Sequence, residues 1–239
     1  MAAAPRKRRR EQKFQQPAAR AVNRAVRKQL ARNFRRELKH HTINSATVNL
    51  TAADTWANLS AATSDVCLVA QGNGPGERIG HRIYIKSLQI KLTVSLTTTT
   101  ASLAQDVLPR YKIMVILNKQ ANGAVSVGDQ VYDWGTFGQK AYRNLNYTEK
   151  YKVLKYWDQL IDASAVTRPA AGNAVTRHVI DHRLVFKTPI KIEYSGATGA
   201  IAERVGQNIE VWAVRSTAES AAGRSILAMN CSTRIRYND

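Results

Sequence analysis

Cysteine, methionine and proline are scarce in this chain: two, three and six residues among 239, with aromatic side chains at only 7%. The two thiols, Cys67 and Cys231, lie 164 positions apart. The N-terminus is charged from Arg6 onward and no apolar leader follows, so nothing in the sequence reads as a secretory signal. The cysteines therefore read as buried thiols rather than as a disulfide. The Asn-x-Ser/Thr matches at Asn49, Asn58, Asn146 and Asn230 carry little weight for the same reason. No long apolar run is present. The most apolar short stretch, 111–117, already contains Lys112, which excludes a membrane-spanning helix.

Signs of catalysis are also sparse. The Gly-rich segment 72–76 is followed by no Gly-Lys-Ser/Thr and misses the dinucleotide spacing, so it reads as a loop. His178 and His182 would share one face of a strand with Asp181 opposite, but no third metal ligand lies near them; a half-buried pair or a subunit contact is the commoner reading. His40 and His41 could titrate near neutral pH, or serve as a plain linker. Asp54, Asp65, Asp129 and Asp133 fall in or beside loops and are candidates for calcium between subunits, though they form no dense ligand loop. No other cofactor is expected, and the chain reads as a non-enzyme. Trp56, Trp134, Trp157 and Trp212 are scattered as core or interface anchors would be.

Acidic residues are few as well: 17 against 36 Lys and Arg, for a net charge of +19. Residues 1–40 hold 14 of the basic residues and only Glu11 and Glu37, a net of +12. Charge this dense repels itself unless a polyanion neutralises it. The chain thus divides into a basic arm, 1–40, and a body, 41–239. Residues 1–16 are polar and charged and read as disordered. Their run Arg6, Lys7, Arg8, Arg9, Arg10 also reads as a nuclear import signal. Pro17 opens an expected amphipathic helix over 17–39. Ala18, Val22, Val26, Leu30, Phe34 and Leu38 recur every four residues as a slowly winding stripe. Beside it stand Arg20, Arg24, Arg27, Lys28, Arg32, Arg35, Arg36 and Lys39. These eight cations, with Lys13 and the Arg6–Arg10 run, are the expected nucleic-acid-binding residues. The stripe is the expected assembly contact. A solvated helix packed on its own body, or one lying on a membrane surface, are the weaker readings.

Beyond the arm, Val, Ile and Thr are frequent and the pattern shortens to strands with turn residues between them. Strands are expected over 42–50, 65–70, 79–97, 110–118, 149–161, 176–187, 190–194, 208–215 and 227–237. In the long run 79–97, Ile83 and Ile85 change phase against Leu88, Ile90 and Leu92, which predicts a bulge at Lys86 or Ser87. A helical turn is allowed over 129–136. Helix and strand do not alternate, so the expected fold is all-β: an eight-stranded antiparallel jelly roll, a two-sheet sandwich, behind a basic disordered and helical arm.

Several segments carry a resemblance to known proteins. The passage Arg24-Ala25-Val26-Arg27 through Thr42-Ile43-Asn44-Ser45 is similar to the arm-to-body transition of satellite plant virus coat proteins. The segment Gly76-x-Arg78-Ile79-Gly80-x-x-Ile83-x-x-Lys86-Ser87-Leu88, with Tyr151-Lys152-Val153-Leu154 and Pro189-Ile190-x-Ile192-x-Tyr194, resembles capsid proteins of circular single-stranded DNA viruses that encode a Rep protein. The resemblance implies a structural capsid protein of single-jelly-roll type. It would assemble with itself, as about sixty copies in a T=1 icosahedral shell. It would package a single-stranded genome, DNA favoured over RNA, and meet a host nuclear import receptor but no membrane. Its expected places are the virion and, during assembly, the host nucleus. The rival reading is a cellular nucleic-acid-binding protein of ribosomal or chromatin type with a β body. A jelly-roll enzyme of cupin type stands third.

Overall fold

The computed structural model describes residues 38–44, 47–50, 56–60, 65–98, 110–126, 128–132, 142–161, 174–215 and 225–239. The chain divides into two units, Met1–Leu38 and Lys39–Asp239, and all the described strands lie in the second. They are β1 (Lys39–Asn44), β2 (Val48–Leu50), β3 (Ala57–Asn58), β4 (Arg82–Thr98), β5 (Arg110–Asn118), β6 (Tyr151–Leu160), β7 (Ala174–Tyr194), β8 (Arg204–Val205), β9 (Asn208–Arg215) and β10 (Ser225–Asn238). One short helix, α1 (Gly128–Val131), and two 3₁₀ turns, Leu145–Tyr147 and Ile201–Glu203, complete the described elements.

Sheet A runs β1-β10-β4-β7-β8, with β2 also on β10; sheet B runs β3-β9-β5-β6. Every strand pair is antiparallel. Since β1 and β2 occupy successive stretches along β10, they act as one interrupted strand. The two-residue β8 only extends the edge of β7. Eight positions then remain, and the first pairs with the last, the second with the seventh, the third with the sixth and the fourth with the fifth. That nesting is a long hairpin rolled up on itself, which is the jelly roll.

Alternation drives the packing. Leu88, Ile90, Leu92 and Val94 of β4 and Leu227, Met229, Cys231 and Ile235 of β10 point inward from sheet A, against Ile113 and Val115 of β5 and Ile209 and Val211 of β9. Each such burial stabilises by about 1.5–3 kcal/mol. β5 is apolar on both faces because its other side is covered too. Met114 and Ile116 pack with Val131, Tyr151 and Trp212, and Trp56 stacks on Tyr132 at 5.8 Å. Both cysteines are buried and form no disulfide. Among the described residues no helix is long and apolar enough to cross a membrane.

The phase change in β4 is a bulge: pairing with β10 jumps from Ile85–Tyr237 to Ser87–Arg236, leaving Lys86 over. Against β7 the irregularity is larger, since Ile85 faces Ile190 and Ser87 faces Val185. Pro189, which has no N–H to give to a ladder, lies within that irregularity. The two runs expected over 176–187 and 190–194 are therefore one continuous, distorted strand, β7.

Other expectations are corrected. The run 42–50 is not one strand: β1 starts at Lys39 and β2 at Val48. The body thus begins at Lys39, not at 41. Residues 65–70 form turn and coil; Val66, Cys67 and Val69 fill the core from a loop whose backbone is held locally, Leu68 N–H to Asp65 O at 3.0 Å and Val69 N–H to Cys67 O at 2.9 Å. An apolar run with local bonds looks like a strand in sequence and needs no ladder. Neither β3 nor β8 was expected; two residues are too few to show alternation.

Candidate nucleic-acid interface

Most of the expected interface, from Arg6 to Arg36 with the stripe residues Val22, Val26, Leu30 and Phe34, lies outside the described residues. Its last two positions are described and are corrected. Leu38 is exposed and non-helical, and Lys39 opens β1. Lys39 is 8% exposed, and its Nζ donates to Asp239 Oδ2 and to the Glu77 carbonyl, both at 3.0 Å. Asp239 also accepts from the Ile79 N–H at 2.7 Å. The charge of Lys39 is thus used inside the body and is taken from the arm's set.

The body's charge is unevenly spread. The outer face of sheet B carries the second apolar cluster. The outer face of sheet A is mostly polar and cationic, with Val179 and Val185 exposed among the polar side chains. Register aligns its side chains in rows across the strands: Thr42, Arg234, Gln89 and Arg183 in one, and Asn44, Ser232, Lys91 and Asp181 in the next. Arg236 stands in the flanking row on one side, and Arg177 lies two rows beyond Lys91, past the row of Asn230, Thr93 and Val179. Lys91, Arg177, Arg183 and Arg234 are exposed, while Arg236 is half-buried. The only carboxylate in these rows is Asp181. It accepts from Gln89 Nε2 at 2.9 Å and pairs with Lys91 at 3.4 Å, which together hold its carboxyl below the ordinary value. Among the described residues Arg177, Arg183, Arg234 and Arg236 make no ion pair. Arg234 Nε donates to Thr42 Oγ1 at 2.8 Å, and Ser232 Oγ to Asn44 Oδ1 at 2.7 Å. A cleft of about 230 Å³ opens here, lined by Thr42, Gln89, Lys91, Ser232 and Arg234.

The loops beside sheet A hold a buried ionic network. Arg78, 0% exposed, donates to the carbonyls of Val69, Gly80 and Gly196 and stacks on the Tyr194 ring at 4.2 Å. Arg204 pairs with Asp65 and donates to Asn208 Oδ1 and to the Gly199 carbonyl. Glu210 accepts from Ser126, Asn208 and Trp212 Nε1. Burial pushes the Asp65 carboxyl up from its ordinary value, against the pull of Arg204 and of the Cys67 N–H. Asp65, a calcium candidate from sequence, is thereby committed to Arg204. Asp54, Asp133 and the side chain of Asp129 lie outside the described residues. Among the described residues no three His, Cys, Asp or Glu side chains gather as a metal site would require.

His178 and His182 do share the inner face of β7, but each meets a partner from sheet B. Tyr111 Oη lies 2.5 Å from His178 Nδ1, and Trp157 meets His182 edge to face at 5.4 Å. His41 Nδ1–H donates to the Gly76 carbonyl at 3.1 Å, and burial lowers its pKa. The rows on sheet A were missed in sequence, although the alternation of Asn230, Ser232, Arg234 and Arg236 on β10 was the available signal. What it lacked was the partner strands.

No family model matches this chain, and no curated protein matches it. Solved structures that align with it include the infectious bursal disease virus VP2 subviral particle (9% identity, TM-score 0.28) and the T13 particle of that virus (11%, 0.24). T=1 particles derived from infectious bursal virus also align (11%, 0.24). Each alignment covers 84% of this chain, which spans 33%, 35% and 36% of those three chains. TM-scores this low do not establish kinship; the jelly-roll assignment rests on strand order.

Proposed function

We propose that this chain is the coat subunit of a small icosahedral virus. It assembles with itself and packages a single-stranded genome, DNA rather than RNA, by neutralising phosphate with its arm. The observation that carries this reading is a pairing of features: a jelly-roll body joined to forty residues with 14 of the chain's 36 cations. The fold alone serves lectins and cupins as well as coats. The arm adds a polyanion partner, bound through counterion release and largely without regard to sequence. With Lys39 committed to Asp239, each arm carries +11. Sixty arms would supply about 660 charges, enough to offset much of a small genome. The Arg6–Arg10 run serves as import signal, and the sites of action are the host nucleus and the virion.

Two measurements on the full-length protein test this. Negative-stain microscopy should show shells of uniform diameter holding nuclease-protected DNA. A monomer or small complex would overturn the coat reading in favour of a cellular nucleic-acid-binding protein. The variant with Arg6, Lys7, Arg8, Arg9 and Arg10 all changed to Gln should form shells with markedly less nucleic acid; full packaging by that variant would refute the arm's role.

A further inference from the structure

We infer that the outer face of sheet A is a second binding surface for the phosphate backbone of a single-stranded nucleic acid, centred on Lys91, Arg183 and Arg234. The identity of the ligand rests on the packaging role proposed above; the surface itself rests on geometry. A solvated sheet face usually mixes charges of both signs, so that cross-strand neighbours neutralise one another. Here Lys91, Arg183, Arg234 and Arg236 face a single carboxylate, Asp181, a local net charge of +3. That carboxylate is engaged by Lys91 and Gln89, so it quenches neither Arg183 nor Arg234.

The rows also have useful chemistry. Arg183 and Arg234 flank Gln89 in one row, and Lys91 follows in the next, about 7 Å on along the strands. Guanidinium groups take phosphate oxygens in pairs, and the second N–H of the Gln89 amide and the Thr42 hydroxyl add neutral donors on the same floor, while the Ser232 proton is used on Asn44. Thr42 already accepts from Arg234 Nε, which steers that guanidinium and leaves its terminal N–H groups to donate elsewhere. No aromatic ring lines the cleft, so bases have no stacking platform and the contact is to backbone. Among the described residues sheet B offers no equivalent: Met114, Ile116, Tyr151 and Trp212 fill part of its outer face, and Arg110 and Lys112 beside them pair with Asp158.

The test uses full-length subunits and a 30-residue oligothymidylate, with affinity measured by fluorescence anisotropy over a range of salt. The Arg183→Gln/Arg234→Gln variant removes two phosphate contacts. Its log–log salt slope should fall by about 1.4, and binding at 0.1 M salt should weaken about 25-fold. Lys119→Gln/Lys152→Gln removes the same charge from exposed positions beside sheet B and should leave the slope at the wild-type value. Equal slopes for the two variants would overturn the inference. The five-residue arm variant separates the two claims. If it alone lowers the slope, the sheet surface is refuted and the arm stands; if only the sheet variant lowers it, the arm is refuted and the surface stands. Phenylglyoxal labelling gives a second readout without substitution. Arg183 and Arg234 should be protected by the oligonucleotide, and equal labelling with and without it refutes the surface.

Discussion

Arg204→Met is the substitution whose cost the structure fixes best. The side chains of Arg204 and Asp65 are 0% and 1% exposed, and the guanidinium also donates to Asn208 Oδ1 and the Gly199 carbonyl. Removing the cation leaves a carboxylate in the interior with only the Cys67 N–H for support, at 3.0 Å. Breaking a buried pair from one side costs about 3–5 kcal/mol. In a body of this size each kcal/mol moves Tm by about 2–4 °C, so a fall of roughly 6–20 °C is expected. The double variant Asp65→Leu/Arg204→Met removes both charges. What remains is the loss of partners for Asn208 and the Gly199 carbonyl, which the single variant shares, and of the carboxylate for the Cys67 N–H, about 1–3 kcal/mol. The double variant should therefore be more stable than Arg204→Met alone. Urea unfolding of the full chain, followed by tryptophan fluorescence, measures both. A loss under 1 kcal/mol for Arg204→Met, or a double variant no more stable than the single, would refute the view that an uncompensated charge sets the cost.

Gly199 has φ +76°, and a Cβ there would collide with the Val69 carbonyl, which is backbone. Gly199→Ala should cost at least about 2 kcal/mol in the same unfolding experiment, and a neutral result would mean the loop can shift. Burial holds the His41 pKa below its ordinary 6.5, so the unfolded chain takes up a proton at a pH where the folded one does not. Stability from this site is complete above pH 6.5 and declines as pH falls through 6.5 toward the folded value. His41→Gln should flatten the stability profile between pH 5 and 6.5; parallel profiles would exclude His41 as the source. Burial pushes both thiols, Cys67 and Cys231, up to about 12. At pH 8 the thiolate fraction is then about 10⁻⁴, and neither should react with iodoacetamide until urea unfolds the protein. Rapid labelling of the native chain would contradict their burial.

Periodicity alone determined a good deal here. Alternation over β4 and β10 marks long strands and their inward faces, short continuous apolar runs mark β5 and β9, and the one-residue phase change in β4 marks the bulge at Lys86, because a strand's side-chain period is fixed at two. The buried state of Cys231 follows from the same count. The arm is equally legible, since charge density needs no partner to be read. Tertiary structure decided the rest. Strand order cannot be read from sequence because pairing is set by which apolar faces meet across the sandwich; the nested order of first with last became visible only there. It also turned 65–70 from an apparent strand into core-filling coil and took Lys39 from the arm to pair with Asp239, two hundred residues on. The cationic rows on sheet A have the same origin. Arg183, Arg234 and Lys91 stand on three strands far apart in sequence, and only the register of β4 between β10 and β7 sets them side by side with a single acid among them.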